Sequence, residues 1–318
     1  MEEINQTGYN FLSSMERAKF LFDLRGFLVV RNVLSAREIE EANTAINGHT
    51  FHERKGELRN TKENTELAGD DMSTGRFDMA GMLGWKDGNT VFRDMLTHPK
   101  LVPYLHMLVG NGYRLDHSPL VLAQNKGSEG FSLHGGSIDR AGNFIPQLQY
   151  TCRNNSITNT LLAVSFQLTD HNKGDGGFCV VPGSHKINFS PPEDMMIGRD
   201  EEFLRTCVQQ PETRAGDVVL FSEATIHGCL PWKADHQRRI ALYRFAPSNF
   251  AFARGYSNSW PAEYLEGMTP EQLSVMQPPY HPMYDRPTLQ DDGTTGTPKT
   301  RGQAKIDFDL EVFGTPYY

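Results

Sequence analysis

Hydrophobic and polar positions divide this chain into two regimes. Up to about residue 112 the apolar residues come in helix-length groups separated by polar stretches. Ser13-Ser14 followed by Glu16 predicts a capped helix to about Leu24, stopped by Gly26. Phe27 to Val30 reads as a short buried strand, and Ser35 with Glu38 forms a second capping pattern that predicts a helix to about Ile46. Residues 50–90 are polar and irregular, rich in Glu, Lys, Asn and Asp, and too long for a plain connector, which predicts a functional loop or a lid. Val91 to Val109 reads as helical, broken near Pro99 and Pro103.

From Tyr113 the period changes. Tyr113 to Gln124 reads as a strand with an edge or bulge at Pro119. Leu161 to Leu168 alternates, Gly177 to Val181 is short and apolar, and two more strands are predicted at 216–222 and 239–245. Many short strands with turn signals between them predict a sandwich or jelly roll rather than βαβ units. After Phe250 the chain turns polar and aromatic. Thr269-Pro270 starts one more helix, and the tail from Pro278 lacks periodicity and reads as a wrapping or loosely ordered extension. The expected organisation is one domain over 1–318: a mostly helical part at 1–112, a β core at 113–250 and an extension at 251–318.

Composition narrows the partners. The chain has 318 residues, 38% hydrophobic and 22% charged, with a net charge of -8, enough for a sizeable core and with no basic run to engage nucleic acid. No membrane span or signal peptide is predicted. Cys152, Cys179, Cys207 and Cys229 show no CxxC spacing and read as reduced thiols, so a cytoplasmic location is expected. Oligomeric state is left open.

Candidate chemistry concentrates between Gly216 and Phe245, GDVVLFSEATIHGCLPWKADHQRRIALYRF. A strand leads to His227-Gly228, and Arg238-Arg239 opens the next strand. A histidine is the commonest metal ligand and a guanidinium matches a carboxylate in two places. Taken alone, the stretch reads more readily as two ordinary strands with a surface histidine and solvated arginines. Two further patterns join it: Gly130-Phe-Ser-Leu-His134-Gly135-Gly136, and Gly176-Gly177-Phe178-Cys-Val-Val-Pro182-Gly183-Ser184-His185-Lys186.

Together these stretches resemble the phytanoyl-CoA dioxygenase family of iron(II)/2-oxoglutarate oxygenases, over roughly residues 20 to 250. The resemblance implies a mainly β fold with flanking helices, a double-stranded β-helix (jelly roll, cupin-like), built as a single catalytic domain. It implies Fe(II), 2-oxoglutarate and dioxygen, and a small-molecule substrate. Residue by residue it carries His134 and His227 onto the family's two iron-binding histidines. Arg238 falls on the arginine that grips the far carboxylate of 2-oxoglutarate, with Arg239 the alternative if the strand register slips by one. Lys126 and Gln124 are expected near the cosubstrate or substrate pocket. His185 is expected to close a turn, and His171 and His236 to lie solvated in loops.

The chain departs from the family at one place. The family's first motif is His-any-Asp, and here it is His134-Gly135-Gly136. A carboxylate from elsewhere can substitute, either Asp139 on the same loop or Glu223, four residues before His227 on what reads as an extended strand. Alternatively no carboxylate binds and a halide takes the position, as in halogenases of this scaffold, or the chain is inactive. The expected function is therefore hydroxylation of a small molecule, with a halogenase and a non-catalytic β-barrel binding module as alternatives.

Overall fold

The computed structural model describes residues 14–61, 65–69, 74–139, 141–252, 260–280, 286–297 and 301–315. Helix α1 (Ser14–Arg25), strand β1 (Phe27–Val30) and helix α2 (Ala36–Asn47) open them. The capping box at Ser35 and Glu38 is present, and Gly26 ends α1 with a φ of 80° that only glycine adopts without strain. Ser13, the expected first cap, lies outside the described residues.

The polar stretch after α2 is less irregular than expected, since it supplies β2 (His52–Arg54) and β3 (Arg76–Ala80). Helices α3 (Asn89–Asp94) and α4 (Val102–Leu108) follow, and Pro103 lies in the first turn of α4, where its missing N–H is harmless, instead of breaking a longer helix. Pro119 splits the next predicted strand into β4 (Arg114–Leu115) and β5 (Leu120–Gln124). Then come β6 (Phe131–His134), β7 (Tyr150–Arg153), β8 (Ser156–Asn159), β9 (Leu162–Gln167) and β10 (Gly177–Val180). Helices α5 (Glu193–Ile197) and α6 (Glu201–Cys207) precede β11 (Val218–Ser222), β12 (His227–Leu230) and β13 (Arg238–Ala246). The extension holds α7 (Ala262–Leu265), α8 (Pro270–Val275), the pair β14 (Thr288–Leu289) and β15 (Thr295–Gly296), and α9 (Gln303–Phe313). That last helix corrects the expectation of an aperiodic tail.

The β core is a jelly roll of two facing sheets, as expected. The larger runs β1-β11-β9-β13-β5-β3-β2, with β4 beside β13, and the smaller runs β10-β12-β6. Every pairing in both is antiparallel. The period of two sends alternate residues of each strand to opposite faces. On the outer face of the large sheet Leu220, Val164, Tyr243 and Val121 pack with Phe22, Phe92 and Leu105 of the helices in the main core. On the inner face Phe27, Phe221 and Ala163 meet Phe178 and Val180 of the small sheet. A third cluster, with Leu133, Cys179, Ile226 and Met196, closes the far side of the small sheet. No described helix is long and apolar enough to cross a membrane.

Candidate metal centre

Two strands and one turn converge on a single point between the sheets. His134 ends β6 and His227 opens β12, and the two are direct cross-strand partners with ring centroids 4.2 Å apart. Each imidazole is fixed through Nδ1: His134 donates to the Ser132 carbonyl at 3.1 Å and His227 to the Thr225 carbonyl at 2.7 Å. A carbonyl only accepts, so both Nε2 atoms keep their lone pairs, the tautomer a metal requires. Glu223 completes the group. Its Oε2 lies 3.5 Å from His227 Nε2, and donor atoms of His134, Glu223 and His227 all lie within 4.8 Å of one another.

Glu223 arrives by a turn, not by strand alternation. Strand β11 ends at Ser222 and β12 starts at His227, and the residues between are tied down on all sides. Glu223 N donates to the Leu161 carbonyl at 3.0 Å, Thr225 Oγ1 to the Gly26 carbonyl at 3.1 Å, and Ile226 N to Ser184 Oγ at 2.7 Å. Gly135 lets this turn come close. A Cβ there would sit 2.4 Å from the Thr225 oxygen and 2.9 Å from the Glu223 oxygen, so any side chain would push the turn away. Gly136 is different: a Cβ would meet nothing nearer than 3.9 Å, and only its φ of 92° favours glycine.

The electrostatics suit metal ligation. Burial holds the His134 imidazole down at about 3, and burial likewise lowers His227. Burial acts to raise Glu223, but the Arg244 guanidinium and the two histidines outweigh it and hold the carboxyl at about 2. Arg244 Nε lies 2.5 Å from Glu223 Oε1. At neutral pH the cluster is two neutral imidazoles and one carboxylate, all in ligand form. This donor set is the 2-His-1-carboxylate triad of non-haem iron(II) sites, so the residues present fit that ion.

The cluster opens on a cavity of about 310 Å3. Alternate residues of β13 form one wall, Arg238, Ile240, Leu242 and Arg244. Leu120 and Leu122 of β5 lie beside them, and Phe178, Phe221 and Phe131 add aromatic rings to the lining. Arg238 is fully buried. Its Nη1 donates to Gln124 Oε1 at 2.7 Å, and Nε and Nη2 have no partner among the described residues. Gly177, with a φ of 79°, makes room for it, since a Cβ there would lie 2.7 Å from Arg238 Nε. A buried guanidinium with open donors and no carboxylate partner is costly by itself. It fits a ligand that brings a carboxylate.

The other expected residues fall as follows. Arg239 faces the opposite side, with Nη1 donating to Asn43 Oδ1 at 3.2 Å and its guanidinium over the Phe51 ring. Gln124 is buried beside Arg238. Lys126 is exposed and pairs with Asp235 at 2.6 Å, away from the cavity wall. Asp139 stays on its loop, accepting from Ala141 N and Asn143 N, and is not in the cluster. Ser165 lines the cavity. His185 closes the turn after β10 but is buried, and His171, expected in solvent, is buried against Trp232. Arg54, Asn60, Arg76 and Arg244 line the cavity and were not expected. For Arg244 the signal was present, because counting by two from Arg238 reaches it.

Comparison with protein families gives a match to phytanoyl-CoA dioxygenase (PhyH) over residues 22–240. The chain belongs to the phytanoyl-CoA dioxygenase family. The family is one of iron(II)/2-oxoglutarate-dependent enzymes, and the histidine–carboxylate cluster and Arg238 stand within the matched span or just before its end. Among solved structures, HygX from Streptomyces hygroscopicus with nickel and 2-oxoglutarate bound is similar at 20% identity and a TM-score of 0.60, covering 78% of this chain and 93% of that one. The epimerase SnoN from nogalamycin biosynthesis is similar at 18% identity and a TM-score of 0.53, covering 78% and 90%. These likenesses show the shared fold. A comparison with curated proteins found no significant match.

Proposed function

We propose that this protein is an oxygenase that hydroxylates a small molecule while 2-oxoglutarate is decarboxylated to succinate. His134, His227 and Glu223 would hold the iron, and Arg238 the far carboxylate of 2-oxoglutarate. The observation that carries the reading is the pairing of the His–Glu–His cluster with a fully buried, open-handed arginine in one cavity. When bound, iron supplies the coordination site for the 2-oxo acid and dioxygen and the oxidising power for the C–H bond.

The chain's own residues position and exclude. Gln124 fixes the Arg238 fork so that its remaining N–H groups can take a carboxylate side-on. The Ser132 and Thr225 carbonyls keep both imidazoles from turning, and Phe131 and Phe221 pack against them at ring distances of 4.7 and 4.6 Å. Leu120, Leu122, Ile240 and Leu242 keep water from the reacting carbon. The placement of Glu223 beside His227 favours a substitute carboxylate over a halide at the iron. The stretch 50–90 lends Arg54, Asn60 and Arg76 to the cavity, which supports its role as a cover over the mouth.

The HygX likeness includes a structure with nickel, 2-oxoglutarate and hygromycin B bound, in keeping with a small-molecule substrate here. The test needs no substrate. Wild-type protein should release succinate from 2-oxoglutarate slowly and only with iron(II), and His134→Ala and His227→Ala should each fall to background. An unchanged rate in either variant overturns the ligand assignment.

A further inference from the structure

Strand register brings a second arginine of β13 to the metal cluster. The row that crosses the large sheet at Arg244 runs through Ala163 to Phe221, since Ala163 of β9 is the partner of both. Residues in one row share a face, here the inner one, where Ala163 and Phe221 pack against the small sheet. Beside Arg244 the row therefore offers only a methyl group. That low point lets the arginine side chain lie across β9 toward the turn between β11 and β12, where Glu223 N is bonded to the Leu161 carbonyl just before β9. A bulkier residue at 163 would stand in its path.

The contact made there sorts the two oxygens of one carboxylate. Arg244 Nε donates to Glu223 Oε1 at 2.5 Å, while Glu223 Oε2 lies 3.5 Å from His227 Nε2. The two oxygens are chemically alike, and an unrestrained carboxylate can give a metal one of them or both. Here they are no longer alike. Oε1 accepts a charge-assisted hydrogen bond, and the Glu223 side chain is only 9% exposed, so water competes weakly for it. Moving Oε1 onto an ion would break that bond. An arginine whose only task was to neutralise Glu223 would do so best through both oxygens, as a fork. This one takes the oxygen other than the one beside His227.

We infer that Arg244 is a positioning residue that makes Glu223 a one-oxygen ligand. It holds Oε1 and presents Oε2 to the ion beside the two imidazole Nε2 atoms. Three protein donors then leave about three positions of an octahedral ion open, enough for a two-toothed 2-oxo acid and one further ligand. A Glu223 bound through both oxygens would fill the last of them. The inference rests on the proposed reading of Glu223 as the carboxylate of the site, and it gives Arg244 a task there.

The test counts the water molecules on manganese(II) bound to the protein, from the broadening that oxygen-17 water gives its electron paramagnetic resonance signal. Wild type should hold about three and Glu223→Ala about four. Equal counts in these two overturn the carboxylate reading itself, before Arg244 is changed. Arg244→Met, which keeps length without charge, should hold about one water fewer than wild type. It should bind 2-oxoglutarate within about threefold of wild type, while iron-dependent succinate release falls about tenfold or more. Arg244→Lys should restore the wild-type count and most of the release. Ala163→Val, which keeps Arg244 but narrows its path, should lower the count in the same way and stands in if Arg244→Met does not fold. A wild-type count in Arg244→Met, or in Ala163→Val standing in for it, overturns the inference. So does a gained water with weakened manganese binding, which would mean that Arg244 holds Glu223 in place without choosing between its oxygens.

Discussion

The two ends of the cavity treat their charges differently. At the Glu223 end the protein satisfies itself: Arg244 pairs with Oε1, His227 approaches Oε2, and both imidazoles are oriented by carbonyls. At the Arg238 end it does not, for one N–H group meets Gln124 while, among the described residues, Nε and Nη2 have no partner. The first end is a rigid donor set that needs little reorganisation to receive an ion. The second is completed by whatever carboxylate enters. A preorganised cluster beside an incomplete one is the arrangement expected when a resident metal is joined by an exchangeable cosubstrate.

The largest effect expected from breaking this contrast is at Arg238. Removing one partner of a buried guanidinium–carboxylate pair costs on the order of 3–5 kcal/mol, so Arg238→Ala should weaken 2-oxoglutarate binding by at least about a hundredfold. Arg239→Ala, one residue on and facing Asn43, should leave it within about threefold. An equal loss in both variants would erase the distinction between the two faces of β13.

A smaller effect is expected at the paired glycines. Gly135→Ala would drive a Cβ into the Thr225 and Glu223 carbonyls and displace the turn that carries Glu223. Metal affinity should fall about tenfold or more, the scale seen when supports of a ligand are disturbed. Gly136→Ala has open space around it and meets only the left-handed backbone, worth about 1–2 kcal/mol of stability with metal affinity preserved. Equal metal affinities in the two variants would detach Glu223 from its proposed role.

The smallest effect expected is on pH. With burial holding His134 at about 3 and Glu223 held at about 2, these donors have no protons to release between pH 6 and 8. Affinity for a divalent ion, measured by titration at both values, should vary by less than about threefold, whereas two ordinary histidines near pKa 6.5 would lose roughly tenfold at the lower pH. Stability of the metal-free protein follows the opposite logic. As pH falls from about 6.5 toward 3, the unfolded chain takes up a proton that folded His134 refuses, so folding weakens across that window.

Particular residues show what the sequence could and could not tell. The β core was legible because β9, β11 and β13 carry clear apolar runs, and the PGSH and HG motifs mark the family. Alternation in RRIALYRF told that one of two arginines faces inward, but not which, since period two has no phase without a partner strand. Glu223 was reached through a wrong picture: the chain turns between Ser222 and His227, and only long-range hydrogen bonds to Leu161, Gly26 and Ser184 bring the carboxylate in. Strands β2 and β3 were hidden because they lie toward an edge of the large sheet and carry His, Glu, Arg and Asp, so their pairing outweighs a polar composition. Helix α9 was missed because Gln303–Phe313 shows no apolar stripe; Phe308, Leu310 and Val312 remain exposed.

The central claim is that Glu223 supplies the carboxylate missing at Gly136. The most direct measurement is iron(II) affinity and iron-dependent succinate release for Glu223→Ala and Asp139→Ala, each with and without chloride. The account predicts loss of both properties in Glu223→Ala regardless of chloride, and wild-type values in Asp139→Ala, whose carboxylate is held on its own loop. Wild-type succinate release in Glu223→Ala, or activity there that chloride restores, would contradict it.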